Sequence, residues 1–157
     1  MTSQNPNVLP DPSTPFGELV RRRLREERTI WLTTVGPSGT PQPNPVWFLW
    51  QEDPGAEHGD GSFLIYNKND ATRLRDLTAR PRVSLNFDRL PEGRGVVVFT
   101  GSAELLKDHP PAHEVPEYAA KYEAAAARST NGEKTLQEFL RDYSVVTRIR
   151  PDRVRGF

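Results

Sequence analysis

Three prolines separated by single residues are the most informative feature of the chain: Pro41, Pro43 and Pro45 lie in an otherwise strand-like stretch. In an extended strand, residues of one parity direct their N–H groups to the same edge, and proline has no N–H. That edge therefore cannot bind a neighbouring strand in the normal way. Because large apolar side chains follow between Trp47 and Trp50, the half-paired strand could accommodate a flat aromatic ligand. The alternative is an ordinary edge strand that proline protects against aggregation.

A second candidate site lies at residues 67–73, where a predicted strand ends and a predicted helix begins. Such a junction exposes unpaired N–H groups and the positive end of a helix dipole, which together favour an anion. Lys68 and Arg73 could converge there on one phosphate, since arginine offers a two-pronged set of donors. The alternative is that Arg73 pairs with Asp70 or Asp76 on a solvated face, which stabilises a protein only weakly.

Arginines are locally in excess between residues 73 and 94, where six arginines face three acidic residues. This excess suits the anionic tail of a cofactor. It is too small for a nucleic-acid groove, and the whole chain balances 21 basic against 21 acidic residues, so we expect no nucleic-acid partner. Four further arginines alternate near the carboxyl end, and we interpret them as a solvated strand face: Arg148, Arg150, Arg153 and Arg155.

Several classes of chemistry lack the residues that they need. The chain has no cysteine and three histidines, which excludes thiolate sites and makes a metal site unconvincing. It contains neither G-x-S-x-G nor H-E-x-x-H, and its Gly93-Arg94-Gly95 stretch lies in no βαβ unit. We therefore assign no catalytic side chain. The apolar runs are too short for a membrane span or a signal-peptide core, so we expect a cytoplasmic protein without a membrane partner.

The remaining pattern predicts one domain, residues 16–157, after a proline-rich, disordered arm at residues 1–15. Apolar spacing and turn residues predict the elements listed here. The helices are expected at 16–27, 70–79, 116–127 and 135–142, and the strands at 29–35, 40–50, 62–67, 82–87, 95–106 and 143–150. Thr14 is the expected N-cap of the first helix, and Gly101 the expected bulge or close backbone contact. Strands without βαβ alternation favour a mainly β, antiparallel barrel with short helices.

The ordered set of segments resembles the pyridoxamine 5′-phosphate oxidase-like split β-barrel superfamily. Within it, the chain is similar to the deazaflavin (coenzyme F-420)-dependent oxidoreductases of actinobacteria. The segments that carry the resemblance begin with Ile30-Trp31-Leu32-Thr33-Thr34-Val35 and Gly39-Thr40-Pro41-Gln42-Pro43, continue through Pro45-Val46-Trp47-Phe48 and Leu64-Ile65-Tyr66-Asn67-Lys68, and end with residues 73–77 and 80–85.

The resemblance implies a six-stranded split barrel that forms a homodimer, with the cofactor bound in a groove between the subunits. It implies contacts with the tricyclic ring from one set of residues: Thr34, Pro45, Val46 and Trp47. It implies phosphate contacts from a second set: Tyr66, Asn67, Lys68 and Arg73. Asp76 stands where the family often has asparagine, which puts a contact there in doubt.

The activity implied is hydride transfer between coenzyme F-420 and a small conjugated substrate, in which the protein positions and shields the ring. Two alternatives belong to the same fold. One is an FMN-dependent enzyme that resembles pyridoxamine-phosphate oxidase. The other is a protein that binds a cofactor or a tetrapyrrole and catalyses nothing.

Overall fold

The computed structural model describes residues 7–157 of the chain. These residues form four α-helices and seven β-strands. In chain order the elements are α1 (Pro15–Glu26), β1 (Thr29–Val35), β2 (Pro41–Trp47), β3 (Leu49–Glu52), β4 (Gly61–Asn67), α2 (Arg73–Ala79), β5 (Arg82–Phe87), β6 (Val97–Leu106), α3 (Pro116–Ser129), α4 (Leu136–Phe139) and β7 (Val145–Gly156). Within this part of the chain, no helix combines the length and the apolar composition needed to cross a membrane.

The strands form a single antiparallel sheet in the order β2-β1-β5-β6-β7-β4-β3. Its two end strands, β2 and β3, follow one another directly in the chain, so the sheet must curl to bring its ends together. This confirms the predicted antiparallel barrel with short helices. The strand count is seven rather than six, because the strand predicted at 40–50 is interrupted at Phe48.

The interruption at Phe48 divides one ribbon between two partners: β2 pairs with β1, and β3 pairs with β4. Phe48 itself is fully buried, so its backbone groups need partners that the strands no longer supply. Two side chains of α3 supply them. The N–H of Phe48 donates to the hydroxyl of Tyr122 at 2.8 Å, and its carbonyl accepts from the ammonium of Lys121 at 2.9 Å.

Apolar side chains fill the barrel interior because β1 and β5 alternate buried and exposed positions, as a half-buried strand requires. β4 differs, since six of its seven residues are buried. One face of β4 packs into the barrel through Phe63 and Ile65. The other face packs, through Leu64 and Tyr66, against α3 and α4, which form a second apolar cluster outside the barrel.

The packed part of the chain begins earlier than residue 16. Leu9 is buried in the barrel cluster, and the carboxylate of Asp60 accepts the N–H groups of Val8 and Leu9 at 2.9 Å each. Residues 7–14 therefore lie against the domain instead of forming part of a disordered arm. The rest of the predicted arm, residues 1–6, lies outside the described residues. Thr14 caps α1 as predicted, because its side chain accepts the N–H of Gly17 at 3.0 Å.

The last strand is longer than predicted. β7 continues through Pro151 to Gly156, where the sequence pattern predicts an end at residue 150. A register shift between Thr100 and Gly101 of β6 accommodates the proline. The extra residue of this bulge is Asp152 of β7, since Thr100 pairs with Arg153 and Gly101 pairs with Pro151. Gly101 is a close backbone contact, one of the two roles that the sequence predicts for it, since a Cβ on it would lie 2.2 Å from the carbonyl oxygen of Arg150.

Candidate functional site

A cavity of about 370 Å³ opens beside the free edge of β2. Three groups of residues line it. The β2 wall contains Pro45, Val46 and Trp47; the charged end contains Tyr66, Lys68, Asp70, Ala71 and Arg73; and the helical wall contains Tyr118, Phe139, Leu140 and Tyr143. This volume lies within the range of ordinary small-molecule sites, about 300–1,000 Å³.

The β2 wall follows from the alternating prolines. β2 ends the strand order of the described sheet, and β1 lies on its other side. Pro45 therefore presents to the cavity a strand edge without an N–H group. Trp47 has the same parity as Pro45 and faces Thr29 in the register, so its N–H points to this same edge. The wall thus offers apolar surface and one backbone donor.

Trp47 is held by stacking on the helical wall. Its ring lies 4.5 Å from that of Tyr122 at an angle of 12°, and 5.4 Å from that of Phe139 at 27°. Stacked aromatic pairs are favourable at these separations. The indole is therefore fixed between two helices where it lines the cavity.

The charged end brings Lys68 and Arg73 to one cavity, as the sequence predicts. Lys68 is exposed just after β4, and its ammonium lies 5.6 Å from the ring centre of Tyr143. Arg73 is half-buried, and burial lowers the pKa of its guanidinium, although arginine remains protonated at neutral pH. In the described part of the chain, no carboxylate lies within 4.0 Å of either cation.

The alternative pairing of Arg73 is therefore not formed. Asp76 is buried and pairs with Arg80 at 3.2 Å, and it does not line the cavity. α2 begins at Arg73, three residues later than predicted, so Arg73 is its first residue. Since α2 is only seven residues long, the positive charge at this end of the cavity comes from the two side chains rather than from a helix dipole.

Asn67 does not reach the cavity. Its side chain is buried, and its amide donates to the Ile65 carbonyl at 3.2 Å, the Val145 carbonyl at 3.0 Å and the Thr147 hydroxyl at 3.2 Å. Its oxygen accepts from Nε of Arg73 at 2.7 Å. Asn67 orients Arg73 from outside the cavity, and the phosphate contact expected from Asn67 stays a prediction.

Thr34 does not line the cavity either. It is fully buried on β1, and its hydroxyl has no hydrogen-bond partner among the described residues. Its partner in the register is Gln42 of β2. The ring contact that the resemblance implies for Thr34 therefore has no direct counterpart in this geometry.

Tyrosines form the remaining polar surface of the cavity. Burial raises the pKa of Tyr66 to about 12 and raises that of Tyr118 as well. Both phenols are therefore protonated at neutral pH and can act as hydrogen-bond donors. The Tyr66 hydroxyl lies 3.5 Å from Nδ1 of His109, and the Tyr66 ring packs edge-on against Tyr118 at 4.7 Å.

The helical wall of the cavity is the part that the sequence analysis missed. Tyr118, Phe139, Leu140 and Tyr143 come from segments that it assigned only as helix or strand start. The available signal was the spacing of Tyr118 and Tyr122, which places two large aromatic rings on the same face of α3. Among the described residues, no group of three or more histidines and carboxylates could hold a metal ion.

Comparison with known proteins agrees with this architecture. A family profile described as pyridoxamine 5′-phosphate oxidase matches residues 16–157. A solved F420 reductase is similar with a TM-score of 0.58 and 22% identity, over 86% of this chain and 94% of that one. A putative pyridoxamine 5′-phosphate oxidase from Listeria innocua gives a TM-score of 0.58 and 14% identity, over 89% and 96%.

A heme storage protein from Vibrio cholerae is also similar, with a TM-score of 0.55 and 18% identity, over 88% of this chain and 93% of that one. No curated protein sequence matches the chain significantly. At these identities the solved structures show a shared fold and nothing finer. The profile covers nearly the whole described domain, however, and the chain therefore belongs to the pyridoxamine 5′-phosphate oxidase family.

Proposed function

We propose that the protein is a deazaflavin (coenzyme F-420)-dependent oxidoreductase that acts on a small, flat, conjugated molecule. The observation that carries the proposal is the composition of one cavity. An apolar strand edge beside Trp47 lies along one wall, and two cations without carboxylate partners, Lys68 and Arg73, lie at its end. A planar redox cofactor with an anionic tail needs this combination.

The residues present fit such a group. Pro45 and Val46 offer a flat apolar surface, and the N–H of Trp47 offers a donor for a ring carbonyl. Arg73 is pre-oriented by Asn67, so that little side-chain entropy is lost when an anion binds. The fold shared with an F420 reductase supports a flavin-like cofactor, of which the deazaflavin is the one that we propose.

When bound, the deazaflavin would supply a hydride from its ring carbon. The chain's own residues would bind, orient and shield. Trp47, fixed by Tyr122 and Phe139, would offer the ring an apolar surface that does not move. Tyr66 holds a proton at neutral pH because burial raises its pKa to about 12, so its hydroxyl is available as a donor to substrate.

We propose further that the protein works as a homodimer, with the cofactor cavity closed by the second subunit. Two large hydrophobic side chains are exposed among residues 7–157: Leu105, at 43%, and Phe157, at 72%. Burying them against a second copy would remove apolar surface from water. Sedimentation of the purified protein should give a mass of two chains, and a monomer would contradict this part of the proposal.

FMN is the second candidate cofactor. Two cations at one end of a cavity of about 370 Å³ match a single terminal phosphate as well as they match a longer anionic tail. An FMN enzyme would be purified yellow and would bind FMN more tightly than coenzyme F-420. A protein that binds either cofactor but transfers hydride to no acceptor would instead be a carrier.

Fluorescence titration with coenzyme F-420 and with FMN tests the proposal directly. The Lys68→Ala, Arg73→Ala double variant should lose a few kcal/mol of binding free energy, at about 1.5–3 kcal/mol for each charged hydrogen bond. Lys107→Ala, which removes an exposed lysine outside the cavity, should bind like the wild type. If the double variant binds the cofactor as tightly as the wild type does, Lys68 and Arg73 do not form an anion site. A turnover screen with activated alkenes separates an enzyme from a carrier that binds the cofactor without catalysis.

A further inference from the structure

A second cavity of about 470 Å³ lies between α1, β3 and α3, and it shares no residue with the first cavity. Its walls are mostly apolar and are formed by Leu24, Leu49, Trp50 and Ala120. Its remaining lining residues are charged: Arg25, Glu52, Glu117 and Lys121. Neither the proposed function nor the family resemblance assigns a role to this cavity.

Lys121 occupies an unusual position in this cavity. Its ammonium lies 3.7 Å from the ring centre of Phe48 and donates to the carbonyl of the same residue at 2.9 Å. The ring of Tyr122 lies 5.3 Å away. Within residues 7–157, no carboxylate lies within 4.0 Å of the amine. The amine is therefore held among aromatic rings without an ion-pair partner.

The charged groups around Lys121 come from each packed element. Glu27 and Arg28 follow α1; the charge of Glu27 raises the pKa of Lys121, and that of Arg28 lowers it. Three more charged residues line the same cavity: Arg25, Glu52 and Glu117. Burial outweighs these charges and lowers the pKa of Lys121 to about 7. About half of the molecules then carry a neutral amine at neutral pH, compared with about one in a thousand or fewer for an ordinary lysine.

We propose that Lys121 is a nucleophilic amine that binds small apolar aldehydes covalently and reversibly in the second cavity. The nitrogen lone pair attacks the carbonyl carbon, and the carbonyl oxygen takes up a proton to give a carbinolamine. Loss of one water molecule, with the second amine proton, then leaves a C=N double bond. The step consumes no oxidant or reductant, and water reverses it.

The geometry favours an aldehyde with an apolar body. A neutral amine keeps two hydrogens, so one can remain bonded to the Phe48 carbonyl while the lone pair is free to attack. Trp50 and Leu49 offer the aldehyde body an apolar surface. Desolvation of this kind is a recognised way to activate a lysine toward carbonyl compounds.

Reductive trapping tests the proposal on the full-length protein. The protein is incubated at pH 7 with benzaldehyde and cyanoborohydride, and the labelled lysines are located by peptide mass spectrometry. We expect Lys121 to be labelled about tenfold or more faster than Lys107 and Lys134, which are exposed lysines outside the second cavity. Equal labelling of the three lysines would overturn the proposal.

The pH profile and the variants separate reactivity from mere accessibility. Labelling of Lys121 should level off above pH 7–8, because burial lowers the pKa of its amine to about 7. Lys121→Arg should lose the fast adduct, and Lys107→Arg should keep it. In urea, where the cavity is gone, the preference for Lys121 should disappear; a preference that persists in urea would contradict a folded site.

The cavity itself is tested by changing its volume and the probe. Ala120→Phe fills the cavity and leaves Lys121 in place, so benzaldehyde labelling of Lys121 should fall relative to that of Lys107. Glycolaldehyde, which is small and polar, should show a weaker preference for Lys121 than benzaldehyde does. If both aldehydes show the same preference, the apolar walls take no part in binding and the proposed ligand class is wrong.

Discussion

The hydroxyl of Tyr122 lies 2.8 Å from the amide nitrogen of Phe48 and 2.7 Å from its carbonyl oxygen. One side chain of α3 therefore contacts both backbone groups of the residue at which the barrel strand is interrupted, and the ammonium of Lys121 donates to the same carbonyl. The same hydroxyl lies 2.6 Å from the carbonyl of Arg28, so its single hydrogen is shared between two acceptors. Because the Tyr122 ring also stacks on Trp47, this contact links the break in the strand to the wall of the first cavity.

Removing this hydroxyl should destabilise the protein. In Tyr122→Phe, the buried N–H of Phe48 loses its acceptor, which typically costs about 1–3 kcal/mol. Urea denaturation should show this loss, and tryptophan fluorescence should change because Trp47 stacks on the same ring. Tyr118→Phe is the matched control on the same helix, since the Tyr118 hydroxyl makes no hydrogen bond within the described chain. An unchanged midpoint in Tyr122→Phe would mean that water replaces the hydroxyl at the break.

Asn67→Ala should weaken both folding and anion binding. The amide of Asn67 connects β4 to β7 through the Val145 carbonyl and the Thr147 hydroxyl, and its oxygen orients Arg73. We expect a loss of about 2–3 kcal/mol in the free energy of unfolding, from unsatisfied buried groups. Cofactor affinity should fall in Asn67→Ala, whereas adding Asn67→Ala to Arg73→Ala should cause no further loss. Additive losses in the double variant would instead indicate a direct contact from Asn67.

Much of the barrel could be predicted from the sequence, because its signals are local. The alternating prolines identify an edge strand, and β2 does end the strand order of the described sheet. Strict alternation from Val83 to Phe87 identifies β5, and Thr14 identifies the start of α1. These features depend on neighbouring residues alone. The family, which the ordered segments also indicate, is confirmed by the matching profile.

The parts that could not be predicted depend on contacts between distant residues. The break at Phe48 is fixed by Tyr122, which lies 74 residues away along the chain. β7 continues past Pro151 because its register against β6 shifts there, with Asp152 as the extra residue opposite Thr100 and Gly101. Asn67 is turned away from the cavity by partners on β7. Lys68 and Arg73 do line one cavity, but residue type and spacing could not show which neighbouring side chain would face inward.

Gly101→Ala should destabilise the barrel because the bulge leaves no room for a side chain. A Cβ at this position would lie 2.2 Å from the carbonyl oxygen of Arg150, and the obstructing atoms belong to backbone. Forced overpacking of this kind costs about 1–3 kcal/mol, and thermal unfolding should record it. Gly36→Ala is the control, since its nearest atom would be 3.7 Å away. A melting temperature equal to that of the control would show that β6 and β7 can move apart at the bulge without a loss of stability.

Lys121 should make stability rise with pH between about 7 and 9. Burial lowers the pKa of its amine from 10.5 to about 7. In this pH range the unfolded chain therefore binds a proton that the folded chain does not, and the free energy of unfolding increases by about 1 kcal/mol per pH unit. The buried tyrosines affect the free energy of unfolding only above this pH range. Because burial raises the pKa of Tyr66, Tyr118 and Tyr122 above 10, they lower stability only where unfolded tyrosines ionise.

Urea denaturation at pH 7, 8 and 9 measures this slope. Lys121→Met removes the titrating amine and should abolish the increase with pH, while Lys107→Met, which alters an exposed lysine, should retain it. The sign of the slope is the decisive observation. Stability that is flat or falls with pH in the wild type would mean that contact with Phe48 keeps Lys121 protonated, and its fast labelling at pH 7 should then be absent too.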